Sequence, residues 1–208
     1  MYPDKFKPDS YRLALARAFY ARPTLVVARE LLGTILVHVG DDGIRRSGRI
    51  VETEAYVGPD DAASHARSGP SKRGALMYAK AGVAYVYLIY GMYHCFNAVT
   101  EADGYPGAVL VRAIEPLDNA ARGNGPGLVC QALHIDRTCN GADLVAGDLC
   151  LEAGAATIPD HHVRVGPRIG IDYAGAWAAH PWRFWVAESP HVSRLRITGA
   201  SLDPTMLR

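Results

Sequence analysis

Residues 84–99, AYVYLIYGMYHCFNAV, constrain the fold more than any other stretch of the chain. Two β-rich runs, Ala84–Leu88 and Tyr93–Val99, flank Tyr90-Gly91-Met92, and a glycine at that place closes such runs into a β-hairpin. Strand alternation sets Tyr85, Tyr87 and Ile89 on one face and Val86 and Leu88 on the other. One face can pack as ordinary core. The other presents rings with polar tips, which suit core and edge packing, a protein interface, or a stacking surface for flat rings such as nucleobases.

The rest of the chain supplies a sheet for this hairpin. Tyr11–Tyr20 reads as an amphipathic helix. Pro23 suits the first turn of a second helix over TLVVARELLG, which Gly33 would stop. TILVHV and Ile44–Tyr56 read as a strand pair around a DDG turn. VGPDDAASHARSGPSKRG is a long polar loop with a short helix expected around Ala62–His65, and loops of this length tend to carry function. AVLVRAIEP is a strand ended by Pro116. The GNGPG loop leads to a helix over LVCQALHI, DLCLEAG reads as a strand, HVRVGPRIGI as a strand or extended segment, and PWRFWVAES as a final strand. The order predicts an α+β fold: one domain over residues 1–208, with a mixed, mainly antiparallel sheet, surrounding helices and residues 1–20 as a helical segment packed on it.

Composition removes some classes. No apolar run approaches the roughly 18–20 residues that span a bilayer, and the N-terminus has no signal-peptide layout, so no membrane partner and a cytosolic location are expected. Cys95, Cys130, Cys139 and Cys150 form no C-x-x-C pair and read as reduced, buried thiols. His161 and His162, on a strand, would face opposite sides and make a poor metal site. The net charge of +1 argues weakly against a dedicated nucleic-acid binder. Its distribution argues less: residues 62–100 hold no Asp or Glu but carry Arg67, Lys72, Arg73 and Lys80, and a second stretch holds Arg164, Arg168 and Arg183 against Asp172.

Glu52 and Glu54, two apart on a strand, share a face, as paired carboxylates do in acid–base or glycosyl-transfer sites and also on solvated edges. Glu54 stands where the strand meets the long loop, with Tyr56 following on the same face. His65, in that loop, is either idle in solvent or a hydrogen-bonding group facing Glu54. Arg112 sits within an apolar strand. It points to solvent or, if inward, to a carboxylate such as Glu54. Asn97 interrupts another apolar strand and would need partners if buried. No G-x-S-x-G elbow or P-loop occurs. GNGPG, residues 123–127, either holds a phosphate with its amides at the helix start or is a flexible connection.

VETEAY with GPDDAASHA, YVYLIYGMYHCFN, VLVRAIEP, GPG-x-x-CQAL, and PRIGI closing on PWRF together resemble the alkyladenine (3-methyladenine) DNA glycosylase family, in the family's order and over about residues 20–193. The resemblance implies a curved antiparallel sheet with a protruding hairpin. It also implies excision of alkylated and deaminated purines, such as 3-methyladenine, hypoxanthine and ethenoadenine, from double-stranded DNA, with no metal or cofactor, by a monomer in the cytoplasm, on the nucleoid if bacterial or in the nucleus if eukaryotic. Residue by residue, Tyr90 matches the tyrosine that fills the space of the flipped nucleotide, and Glu54 the base that activates water. Tyr56, His65 and Tyr87 match the base pocket, Asn97 the residue that crowds guanine's 2-amino group, and Arg112 the arginine that holds the water. Glu52 is left a structural role, and Tyr85, Tyr93 and Phe96 the support of the hairpin. Arg67, Lys72, Arg73, Gly125 and Gly127 are candidate DNA-backbone contacts. One departure is Leu128, where many members carry Lys.

Overall fold

The computed structural model describes residues 14–71, 73–118, 121–193 and 199–207. A long central strand organises them. β2 (Arg45–Val57) is 13 residues long and is flanked by β5 (Gly107–Pro116) along most of its length. On its other side it pairs first with β1 (Ile35–Val39) and then with β8 (Arg183–Val186). The sheet continues outward through β4 (Tyr93–Val99) to β3 (Ala84–Ile89) at one end, and through β7 (Val163–Gly166) to the two-residue β9 (Ala200–Ser201) at the other. β6 (Leu149–Glu152) adds to β1. Every ladder among the described residues is antiparallel. The molecule is α+β, a large open antiparallel sheet with a few short helices.

The helices cover one face of this sheet. α1 (Arg17–Tyr20) and α2 (Thr24–Glu30) bury Tyr20, Val27 and Ala28, while α3 (Pro126–Ala132) buries Val129 and Cys130. They meet Phe96, Val109, Val111 and Ile114 of β4 and β5 in the main core. The start of α2 is fixed by Glu101, whose Oε1 accepts from the Thr24 backbone N–H at 2.6 Å and the Thr24 hydroxyl at 2.8 Å, a carboxylate at the positive end of a helix. No helix among the described residues is long and apolar enough to cross a membrane.

Several local expectations are corrected. The ten-residue N-terminal helix shrinks to α1, because Ala14 bridges to Glu152 and the Leu15 N–H donates to the Leu151 carbonyl, so the β6 edge claims the chain there. Residues 11–13 lie outside the described residues. Ala62–His65 forms turns rather than a helix. The helix after GNGPG starts at Pro126 and ends at Ala132. β9 follows β8, which is therefore not the final strand. His161 and His162 sit in a single 3-10 turn with ring centroids 4.3 Å apart, not on a strand. The four cysteines are free and buried.

Candidate active site

A defect in the central ladder shapes the site. Between Ile50 and Glu52, β2 gains one residue over β5; between Glu52 and Thr53, β5 gains one over β2. The extra residue on β5 is Arg112. Compensating bulges of this kind re-aim side chains without shifting the rest of the sheet. Here Arg112 turns inward, 6% exposed, between the two glutamates of VETEAY. Its Nη1 lies 3.3 Å from Glu54 Oε1, and its Nε lies 3.3 Å from Glu52 Oε1, in ion-pair contact but without hydrogen-bond alignment. Burial works against the Arg112 cation, but the two carboxylates outweigh it and hold it firmly charged.

Both glutamates are fully buried, so neither belongs to a solvated edge. Glu54 Oε1 accepts from the Ile169 N–H at 2.8 Å, and Oε2 accepts from the Tyr56 hydroxyl at 3.0 Å. Burial first, and then the Glu54 charge, keep the Tyr56 phenol far from ionisation, so it remains a donor. Behind the Tyr56 ring, the Arg168 guanidinium carbon stands 4.7 Å from the centroid. Arg168 is itself gripped by Asp61 through Nη1 and Nη2, the latter at 2.8 Å, and it donates to the Ala55 carbonyl at 2.9 Å. Asp61 also accepts from the Val57 and Ala63 N–H groups, so this buried pair clamps the root of the long loop onto β2.

That clamp delivers His65 to the hairpin. His65 Nδ1 is 2.8 Å from the Tyr85 hydroxyl, and its ring meets Tyr87 edge-on at 4.8 Å. Burial, then the charges of Arg73 and Arg67, push its pKa down to about 4, so the ring is neutral at physiological pH. Tyr56, His65, Tyr85, Tyr87, Asn97 and Arg112 border one cavity of about 230 Å³. Asn97 is buried and donates its amide to the Tyr85 carbonyl at 3.0 Å. Tyr90 borders the same cavity but stands 82% exposed at the hairpin tip. Tyr90 and Gly91 have φ of 53° and 71°, and the Met92 N–H donates to the Ile89 carbonyl, which makes a type I′ turn. Glycine takes that backbone freely; tyrosine takes it at a cost, a strain of the kind found at functional positions.

The comparisons agree on what such a site belongs to. The Methylpurine-DNA glycosylase (MPG) family matches residues 18–190. A protein of Anaeromyxobacter dehalogenans is 56% identical over 184 residues, covering 88% of this chain and 86% of its own length. One from Myxococcus xanthus is 55% identical, covering 86% and 93%. One from Methanocella arvoryzae is 50% identical, covering 86% and 96%. All three are named "Putative 3-methyladenine DNA glycosylase". The chain belongs to the methylpurine-DNA glycosylase family.

It is accordingly a DNA glycosylase, a hydrolase that works on DNA. In this glycosylase the residues singled out from sequence divide into three groups. Glu54, Arg112, Tyr56, His65, Tyr87, Asn97 and Tyr90 are brought to one place. His65, however, faces Tyr85 rather than Glu54. Tyr85 belongs to the cavity wall and not only to hairpin support, a position that its alternation with Tyr87 already signalled. Phe96 does pack in the core, and Tyr93 packs on Gly127, where an added Cβ would meet the ring carbon Cδ1 at 2.8 Å.

The candidate DNA-backbone contacts scatter. Gly127 has that packing reason to be glycine, while Gly125, at a φ of 172°, has extended backbone. Arg67 is exposed and donates to the Ala62 carbonyl. Arg73 borders the cavity. Lys72 lies outside the described residues. Two of the three arginines of the second basic stretch are not available to an anion: Arg168 and Arg183 are fully buried against Asp61 and Glu52, so internal carboxylates consume their charge, while the half-buried Arg164 donates to the His161 carbonyl. These pairs join residues more than 100 positions apart, and nothing in the local sequence announces them. Among the described residues, no three His, Cys, Asp or Glu side chains gather as metal ligands would.

Proposed function

We propose that this glycosylase flips alkylated and deaminated purines, among them 3-methyladenine, hypoxanthine and ethenoadenine, out of duplex DNA and hydrolyses their N-glycosidic bond with water activated by Glu54, beginning base excision repair. One juxtaposition carries the reading: the exposed, strained Tyr90 borders the same small aromatic cavity as Arg112, which is paired with the buried Glu54. A base inside a duplex is out of reach, and extruding it costs a few kcal/mol. A ring inserted where the base was lowers that cost. A nucleoside hydrolase would have no use for one.

The cavity, at about 230 Å³, falls below the roughly 300–1,000 Å³ of sites for larger ligands and suits one flat ring system. Tyr56, Tyr87 and His65 offer π-faces and edges, each stack worth ~1–3 kcal/mol. Asn97 crowds the 2-amino group of guanine. Glu54 accepts from Ile169 and Tyr56 and pairs with Arg112, which leaves acceptor capacity among a carboxylate's roughly four positions for a water. Arg112 holds that water beside Glu54. The transition state resembles an oxocarbenium ion, which a nearby carboxylate stabilises. Duplexes carrying each of the three lesions, incubated with the protein and probed for abasic sites, test the reading. Release of one or more lesions is expected; release of none would end it. The relatives' name makes 3-methyladenine the first lesion to try.

A further inference from the structure

The proposed chemistry leaves one requirement open. A cationic alkylated purine departs as a neutral base, but a neutral lesion such as hypoxanthine departs carrying the electron pair of the broken bond. His65 is uncharged and cannot supply a proton. We infer that Arg73 steadies the negative charge on the departing purine, and that the pocket thereby favours neutral lesions, which leave as anions, over cationic ones. This rests on the glycosylase reading above.

The distribution of charge leads to it. Arg112 and Arg183 face Glu52 and Glu54, and Arg168 faces Asp61, so these buried cations are compensated in place. The cations bordering the cavity are Arg112 and Arg73. Among the described residues no carboxylate pairs with Arg73. It is nonetheless held: Nη2 donates to the Leu88 carbonyl at 3.1 Å, and the guanidinium carbon sits 4.9 Å from the Tyr87 ring centroid. Its field reaches the aromatic wall, where it counters the burial that raises Tyr85 and Tyr87 and adds to the burial that lowers His65.

The Tyr85 hydroxyl lies 2.8 Å from His65 Nδ1 on the same aromatic wall. The purine thus meets a cation at the border of the cavity. Arg73 is exposed in the free protein, where water screens it; bound DNA would cover it, and the same charge would act through a lower dielectric.

In the step itself, the C1′–N bond breaks with its electron pair on the purine. The water oxygen bonds to C1′ and its proton passes to Glu54. The purine anion takes a proton from solvent once released, and Glu54 returns its proton to water. The test compares single-turnover excision of hypoxanthine and of 7-methylguanine by the wild type, Arg73→Gln and Arg73→Lys. Arg73→Gln should slow hypoxanthine release about tenfold or more while changing 7-methylguanine release less than about threefold, and Arg73→Lys should recover much of the loss. An equal loss on both lesions, or a loss confined to DNA affinity, would assign Arg73 to phosphate binding and overturn the inference. If the wild type releases neither lesion, the glycosylase reading fails instead.

Discussion

Glu52 and Glu54 are two residues apart on one strand, equally buried, and in contact with the same arginine, yet their surroundings differ. Glu52 accepts three hydrogen bonds, from Arg183 Nη1 at 3.1 Å, the Ser193 N–H at 2.8 Å and the Ser193 hydroxyl at 2.9 Å, and Arg112 Nε stands 3.3 Å away in ion-pair contact. Two guanidinium groups and the Ser193 donors hold it in place. Glu54 accepts two hydrogen bonds, from the Tyr56 hydroxyl and the Ile169 N–H, and pairs with Arg112. What distinguishes the pair is that Tyr56 and Ile169 border the cavity, whereas Arg183 and Ser193, the donors to Glu52, do not. Glu52 ties the β2–β5–β8 junction together, and Glu54 borrows its orientation from that junction.

The comparison is broken most sharply at Glu54. Glu54→Gln keeps the shape and removes the proposed base, and single-turnover excision should fall about 10²–10⁴-fold while binding to a lesion duplex persists. Wild-type excision by this variant would transfer the base role elsewhere. Glu52→Gln tests the other half. It leaves Arg183 and part of Arg112 buried without their anion, which costs about 3 kcal/mol and lowers Tm by about 6–12 °C for a chain of this size. Its excision rate at 20 °C, measured on folded protein, should stay within about tenfold of the wild type. Loss of excision with an unchanged Tm would reverse the two roles.

A smaller contrast lies in the hairpin turn, between Tyr90 and Gly91, which share positive φ but only one of which gains from it. Tyr90→Gly relieves that backbone and should leave Tm unchanged or raise stability by about 0.5–1 kcal/mol. The same variant loses the wedge, and excision at limiting enzyme should drop about tenfold. A variant both less stable and fully active would show that Tyr90 serves the turn rather than the DNA.

The hairpin and the α+β class were legible because alternation, glycine turns and proline stops act locally. Tyr87, Tyr90 and Asn97 border one cavity because all three lie on that hairpin. Arg112 was visible only as an oddity in an apolar strand, since its inward turn depends on paired bulges that no residue pattern encodes. Arg168 and Asp61 were out of reach: an arginine in a basic stretch reads as surface until its distant partner is seen. Residues 14–16 of the expected Tyr11–Tyr20 helix failed for the opposite reason. A good local helical pattern lost to backbone pairing with β6, a tertiary contact that propensity does not weigh.

The smallest expected effect concerns His65, and it separates a ring held in the wall from one idle in solvent. In the fold its pKa sits near 4, set by burial and then by Arg73 and Arg67, while in the unfolded chain it lies at the ordinary 6.5. Between those values the unfolded state binds the extra proton and the folded state does not, so stability must fall as pH drops through this window and be unaffected by this group above it. His65→Gln removes the titration. The stability advantage of the wild type over this variant should therefore hold steady above about pH 7 and shrink between roughly pH 6.5 and pH 4. Denaturant melts of both proteins across that range measure it, and the His65 ring resonances in the folded wild type should titrate near 4 rather than 6.5. A midpoint at the ordinary value would put the ring in water, detach it from Tyr85, and remove the third aromatic group from the pocket.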